Sequence, residues 1–113
     1  MNIATDMTST KLIVAYPHPK DVDVFEAVYH REHAPMAIAN LEGKTKIVAT
    51  KILQSPQGEP QFYRIAEVHF PSMEALNRCA ASAGGKETLA HAVKISSGGP
   101  PVIMIAEEDT FTF

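Results

Sequence analysis

The stretch Gly43–Phe70, GKTKIVATKILQSPQGEPQFYRIAEVHF, indicates the fold more clearly than any other part of the chain. Its first part, Gly43–Leu53, is rich in Ile, Val and Thr and alternates in the way that strands do. Its last part, Gln61–Phe70, has the same character, and the segment SPQGEP between them is typical of a turn. The two predicted strands should therefore pair as an antiparallel hairpin in the middle of the chain.

A strand and a helix are predicted before this hairpin. The short apolar run Lys11–Tyr16 reads as a strand that a proline-containing loop ends. Asp21 or Asp23 can cap the helix that follows, because a carboxylate there can accept the free amide hydrogens of the first turn. Pro35 lacks an amide hydrogen and disfavours helical geometry in the residue before it, so we expect this helix to kink or end there.

A second helix and a last strand are predicted after the hairpin. Ser72 is the expected cap, and one face of the helix carries Met73, Leu76, Ala80 and Ala83. We expect Gly84-Gly85 to interrupt this helix, which then resumes until the glycines and prolines of SSGGPP. The final predicted strand is Val102–Glu108.

This order of elements, strand-helix-strand-strand-helix-strand, predicts an α+β fold of the ferredoxin-like βαββαβ type. Right-handed crossovers would place both helices on one face of an antiparallel sheet. Leu12–Ala15 and Val102–Ile105 are nevertheless apolar on both faces, whereas a strand with one wet face should alternate. A second copy of the chain is the simplest cover for the open face, so we expect a homodimer.

The bulk properties narrow the classes of function. The chain has 113 residues, a length that predicts one domain, over residues 10–113, after a flexible lead-in over residues 1–9. Its net charge is −3. Its Lys and Arg residues are scattered, so nothing in the sequence favours nucleic acid or an anionic membrane as partner. No apolar run is long enough for a membrane span. The single cysteine, Cys79, fits a reducing compartment and predicts a cytoplasmic protein.

The first helix carries the strongest candidate for chemistry. Phe25, Tyr29 and His33 follow one another at i, i+4 and i+8 and form one stripe that should meet the sheet. A neutral imidazole at His33 could act as a general base, because its pKa lies close to working pH. The alternative is a buried histidine that is hydrogen-bonded and only packs. His30 and His33 are three residues apart and should point in different directions, so we predict no metal site there.

The third strand contains an unexpected charge. Tyr63, Ile65, Glu67 and His69 should share the open face of the sheet, which places Arg64 on the helix-covered face. Arg64 either extends its charged end to solvent at the sheet edge, which we favour, or binds an acidic group of a ligand. Glu67 and His69 would then point into the dimer interface.

The segment Tyr16–Ala37, YPHPKDVDVFEAVYHREHAPMA, resembles the opening of EthD-type proteins, which are named for a component of ethyl tert-butyl ether degradation. The shared positions are Pro17, Asp21, Phe25, Tyr29, His33 and Pro35. The stretch SSGGPPVIMIAEE is similar to the family's approach to its last strand. The resemblance implies a dimeric α+β barrel, and relatives on that fold include cofactor-independent enzymes, so we expect no cofactor. It also implies a catalytic role for His33 and a place for Tyr16 and Tyr29 in a pocket, where Phe25 of the same aromatic stripe is the third predicted substrate-binding residue.

Two hypotheses of function follow from this resemblance. The first is a cofactor-free enzyme of the isomerase, cyclase or monooxygenase type that acts on a small hydrophobic carbonyl or aromatic metabolite in a catabolic pathway. The second is a non-catalytic dimeric module that binds such a metabolite or assists a partner enzyme. Heme ligated by His33 is a third, minor option for this fold.

Overall fold

The structure is a computed structural model that describes residues 8–113. In chain order its elements are β1 (Thr8–Pro17), α1 (Val22–Val28), a π-helical segment (Tyr29–His33), α2 (Ala34–Asn40), β2 (Lys46–Lys51), β3 (Phe62–Phe70), α3 (Met73–Ala81), α4 (Ala83–Ile95) and β4 (Val102–Asp109). Strand β1 thus begins two residues inside the predicted lead-in, and the rest of that lead-in lies outside the described residues.

The four strands form one sheet in the order β2-β3-β1-β4, and all neighbouring strands are antiparallel. The predicted α+β, ferredoxin-like fold and its central hairpin are therefore confirmed, although β2 is shorter than predicted. Helices cover one face of the sheet, where two apolar clusters make up the core. The first cluster joins Val14 and Ala66 to Phe25 and the second joins Phe70 to Leu76.

The first helical region starts at a capping aspartate and contains a π-helical segment that ends at His33. Asp21 is the N-cap of α1, and its side chain accepts a hydrogen bond from the Val24 amide. The predicted interruption at Pro35 takes the form of the π-helical segment rather than an end. The amide of Ala34 reaches back to the Tyr29 carbonyl, and Pro35 then lies in the first turn of α2, where no amide hydrogen is needed.

The second helical region breaks at Ser82, so the prediction that Gly84-Gly85 interrupts it is wrong. Ser82 is extended, and its hydroxyl accepts a hydrogen bond from the Gly85 amide and caps α4. Both glycines lie in the first turn of α4, and a Cβ at Gly85 would collide with the Cys79 carbonyl. The buried face of α3 is also rotated from the predicted one: it consists of Ala75, Leu76 and Cys79, and Met73 is exposed.

Strand β3 contains a bulge that changes the direction of one side chain. Tyr16 pairs with Arg64 and Pro17 pairs with Phe62, so Tyr63 is an extra residue opposite β1. Tyr63 is consequently buried against Phe25 on the helix face, with ring centroids 5.8 Å apart. Its predicted place beside Ile65, Glu67 and His69 on the open face is wrong, because the strict two-residue period stops at the bulge.

The open face of the sheet combines an ionic cluster with apolar residues. Lys11 Nζ lies 2.9 Å from a carboxylate oxygen of both Glu67 and Glu108. The hydrogen bond from Lys11, with another from Thr110, holds the pKa of Glu108 at about 2. Beside this cluster the edge strand β4 leaves four large apolar side chains exposed, on both of its faces: Val102, Ile103, Met104 and Ile105.

Among residues 8–113, no helix is long and apolar enough to cross a membrane.

Candidate functional site

A cavity of about 190 Å³ lies between the sheet and the helices α2 and α4. Its wall is apolar except for Tyr16, Tyr29, His33 and Thr88, and the Thr88 hydroxyl is already engaged with the Gly84 carbonyl. An apolar cavity of about 150 Å³ is large enough to hold benzene. The cavity therefore suits a single ring or a short branched chain with one polar group.

Tyr16 and His33 contact each other in the wall of the cavity. The Tyr16 hydroxyl lies 3.3 Å from His33 Nε2, and Tyr16 is fully buried near the C-terminal end of β1. Burial, with a smaller contribution from Tyr29, raises the pKa of Tyr16 well above its ordinary value. The phenol is therefore a neutral hydroxyl that can donate a hydrogen bond to His33 or to an oxygen of a ligand.

The other ring nitrogen of His33 contacts a second histidine. Nδ1 of His33 lies 2.9 Å from Nδ1 of His91 on α4, and the two rings are close to parallel, with an interplanar angle of 11°. Burial, helped by the nearby His91, lowers the pKa of His33 to about 4. His33 is therefore neutral at neutral pH, and one of the two Nδ1 atoms donates a hydrogen to the other.

His91 lies between the cavity and a second, more open groove. This groove has a volume of about 420 Å³ and runs along α1 and α4, with charged residues Lys20, Asp21, Glu32 and Lys94 among those that line it. Nε2 of His91 faces the exposed carboxylate of Glu32 at 3.9 Å. A continuous line of side chains thus leads from Tyr16 through both histidines to the surface.

The structure places the predicted site residues in two layers. Tyr16, Tyr29 and His33 line the cavity. Phe25 lies behind them, away from the cavity: its ring stacks on Tyr29 at 5.6 Å and meets the edge of Tyr16 at 5.3 Å. Phe25 therefore supports the two tyrosines, and it also lines the groove along α1 and α4.

His91 is the residue that the sequence analysis missed. It is 58 residues from His33 in the chain, and only the packing of α4 on the first helical region brings the two rings together. Helical spacing indicates that His91 points partly inward, because it lies three residues after Thr88 and next to Ala92, both of which are buried. That spacing places His91 at the margin of the inward face of α4.

Arg64 neither extends to solvent, as we favoured, nor faces a ligand. Its guanidinium is buried and forms a two-pronged ion pair with Glu26 of α1, with Nη2 to Oε1 at 2.7 Å and Nε to Oε2 at 3.1 Å. It also lies 4.8 Å from the centre of the Tyr29 ring. The favoured prediction is wrong because Glu26 reaches over the sheet and neutralises the charge in place. The ion pair therefore lies behind Tyr29, which lines the cavity.

Residue types that bind metals occur together at two places. The first is the pair His30 and His33, but His30 is exposed and faces Glu26 at 3.8 Å, so it points away from the buried His33. Among residues 8–113, Glu67, His69 and Glu108 have ligand atoms within 4.8 Å of one another. The Lys11 ammonium already contacts both of these carboxylates, so they belong to an ion-pair network.

The sequence and fold of this chain match known proteins. Residues 18–95 match the EthD domain, which is more than half of the chain. The chain belongs to the EthD family. A solved EthD family protein from Bacillus halodurans is 30% identical and covers 88% of this chain and 98% of its own, with a TM-score of 0.79.

Two solved structures of lower identity share the fold of this EthD family protein. A protein of unknown function from Bacteroides fragilis, described as dimeric and ferredoxin-like, is 10% identical, with a TM-score of 0.60 over 91% of this chain and 96% of its own. SnoaB, a cofactor-independent oxygenase from Streptomyces nogalater, is 16% identical, with a TM-score of 0.53 over 95% of this chain and 96% of its own. At these identities the likeness extends to the fold alone.

Proposed function

We propose that this EthD family protein is a cofactor-free enzyme that moves a proton on a small, mostly hydrocarbon metabolite, aliphatic or aromatic, with one carbonyl oxygen. The observation that carries the proposal is the contact between Tyr16 and His33, both of which line a cavity that is otherwise mostly apolar. The setting that we propose is a catabolic pathway in the cytoplasm. The fold it shares with a cofactor-independent oxygenase agrees with such chemistry.

The proposed step uses the two side chains in different roles. The carbonyl oxygen of the ligand accepts a hydrogen bond from the Tyr16 hydroxyl. Unprotonated Nε2 of His33 removes a proton from the carbon next to the carbonyl group. The electron pair of the broken C–H bond moves onto the oxygen, where the Tyr16 hydrogen bond stabilises the resulting enolate. Protonation of that enolate elsewhere is isomerisation, and its attack on a second carbonyl is cyclisation. Its reaction with molecular oxygen begins a monooxygenation.

The alternative function is a binding module without turnover. It is favoured by one observation, the depressed pKa of His33, because a base whose pKa is about 4 holds a proton weakly. Heme bound through His33 has less support. The cavity is near the size that holds benzene, far smaller than a porphyrin, and both ring nitrogens of His33 already have side-chain neighbours.

Exchange of the methyl protons of acetophenone in deuterated water, followed by proton NMR, tests the enzyme proposal. Acetophenone has one ring and one carbonyl, and ethylbenzene is a ligand of similar shape without the oxygen. We expect the wild type to accelerate exchange above the buffer rate. Both His33→Gln and Tyr16→Phe should slow it by about tenfold or more, because one removes the base and the other the hydrogen-bond donor. His30→Gln, at the exposed histidine nearby, is the matched control and should leave the rate unchanged.

Two kinds of result would contradict the enzyme proposal. If acetophenone and ethylbenzene bind with the same affinity and exchange stays at the buffer rate, the protein is a binding module. If neither compound binds, or if His33→Gln exchanges protons as fast as the wild type, the assignment of the cavity as the active site is wrong.

We also propose that the protein is a homodimer whose open sheet faces pack against each other. The dimeric description of the Bacteroides fragilis neighbour supports this assembly. Strand β4 supports it independently, because an edge strand with exposed apolar residues on both faces is a liability in a monomer.

Met104→Asp tests the dimer. Met104 pairs with Ile13 on the open face and is 44% exposed, so a carboxylate there would be buried without a partner in the proposed interface. We expect sedimentation to show dimeric wild type and largely monomeric Met104→Asp. Val93→Asp, at a 53% exposed valine on α4, should remain dimeric. A wild type that sediments as a monomer would contradict the proposal.

A further inference from the structure

We infer that His91 is a positioning and proton-relay residue that acts through His33 and carries the proton taken from the ligand out to the groove at Glu32. The inference rests on the proposed function, since it concerns the fate of the proton that His33 removes. The geometry that supports it is the Nδ1-to-Nδ1 contact of 2.9 Å between the two histidines.

The relay has a defined starting arrangement of hydrogens. The Tyr16 hydroxyl or a ligand occupies the side of His33 Nε2, which has no hydrogen. His33 carries its hydrogen on Nδ1 and donates it to bare Nδ1 of His91. His91 in turn carries its hydrogen on Nε2, which faces Glu32 at 3.9 Å. At that distance a water molecule can bridge the two side chains.

The transfer balances as one proton in and one proton out. The ligand C–H bond breaks and an N–H bond forms at Nε2 of His33, while the hydrogen on its Nδ1 passes to Nδ1 of His91. The hydrogen on Nε2 of His91 then leaves to water or to the Glu32 carboxylate. Both imidazoles are neutral before and after the transfer, so the one charge left in the cavity is the negative charge of the enolate, which the Tyr16 hydrogen bond stabilises.

The relay prevents the proton on His33 from returning directly to the enolate, as it would from a single buried histidine. The pKa of His33 is about 4, so a proton held there alone would return quickly to the enolate. A proton handed to His91 instead reaches a side chain that borders the solvent-facing groove. The surroundings of His91 are mixed in charge: Glu32 and His33 face it from the π-helical segment, Lys94 lies on its own helix, and Lys20 and Asp21 line the same groove.

Variants at His91 test the relay with the acetophenone exchange assay. We expect His91→Gln to slow exchange by about tenfold while the affinity for acetophenone stays the same, because His91 does not line the ligand cavity. In His91→Ala, added imidazole should restore part of the lost rate by entering from the groove. His30→Gln with and without imidazole is the matched control and should show no change.

Nitrogen-15 NMR of the histidine rings gives a second measurement that needs no turnover. When His91 is protonated on both nitrogens, its Nδ1 must donate to Nδ1 of His33, and the hydrogen of His33 must then lie on Nε2. The relay therefore predicts that His33 changes tautomer as the sample is acidified. A histidine pair that is merely packed together would keep His33 in one tautomer throughout.

The outcomes separate the relay from the proposed function. If the wild type exchanges protons and His91→Gln is as fast, or is slower without imidazole rescue of His91→Ala, the relay is wrong and the function stands. If the wild type shows no exchange, the function is wrong, and the relay of a ligand proton is wrong with it. The tautomer of His33 then tests the contact alone: a change shows that the two Nδ1 atoms share a hydrogen bond, and a constant tautomer shows that the rings only pack together.

Discussion

Glu26→Ala should lower the free energy of unfolding by about 3 kcal/mol, because it leaves the Arg64 guanidinium buried without its partner. The Arg64 side chain is only 6% exposed, whereas Glu26 is 23% exposed, which places the expected loss at the lower end of the range for buried pairs. The cost arises mainly from an uncompensated charge. Urea denaturation at neutral pH, followed by circular dichroism, measures the change.

A double variant separates the ion pair from the charge that its loss exposes. Glu26→Leu combined with Arg64→Met removes both charges and should recover most of the stability, since apolar residues of similar volume replace buried ion pairs at little cost. Glu87→Ala, at an exposed position of α4, is the surface control and should lie within about 0.5 kcal/mol of the wild type. A loss below about 1 kcal/mol in Glu26→Ala would show that Arg64 is well solvated.

The pair should also make stability depend on pH with a definite sign. Burial favours the neutral carboxyl of Glu26, but the hydrogen bonds and charge of Arg64 outweigh it and lower the pKa of Glu26. The folded state therefore binds this proton less readily than the unfolded state does, and the contribution is present above the ordinary glutamate pKa. It is lost as pH falls through the lowered pKa, so the difference between wild type and Glu26→Ala should shrink in acid.

The same ion pair shows where prediction from sequence ended. The charge of Arg64 on the helix face followed from strand alternation, but its partner is 38 residues away on another element. A local pattern reports which way a side chain points, and it carries no information about which distant side chain meets it there. His33 and His91 repeat the lesson, because their contact depends on how α4 is placed on the first helical region.

The fold itself was largely predictable, because it depends on local patterns that agree with one another. The hairpin, the helix start at Asp21 and the inward stripe of Phe25, Tyr29 and His33 all follow from spacing and cap chemistry. Prediction failed where one residue broke the period, as at the Tyr63 bulge. Of the site, the cavity-lining histidine and tyrosines were found from sequence, and the second histidine was not.

Tyr16→Ala should cost about 3–5 kcal/mol of unfolding free energy, the range for removing a large buried ring. Tyr16 has no exposed surface, and its ring meets Phe25, Tyr29 and His33 edge to face. Deleting it would join a ring-sized void to the ligand cavity. Urea denaturation of the variant and the wild type measures the loss.

Tyr16→Phe is the matched control, because it keeps the ring and removes only the hydroxyl. We expect it to cost about 1 kcal/mol, the net value of one hydrogen bond, since Nε2 of His33 borders a cavity that water can enter. Similar stabilities for the two variants would mean that the surrounding side chains collapse into the void, and that the ring does little to hold the cavity open. A large difference would assign the ring to the architecture of the cavity and the hydroxyl to the chemistry beside His33. Stability and proton exchange would then respond to different atoms of one side chain.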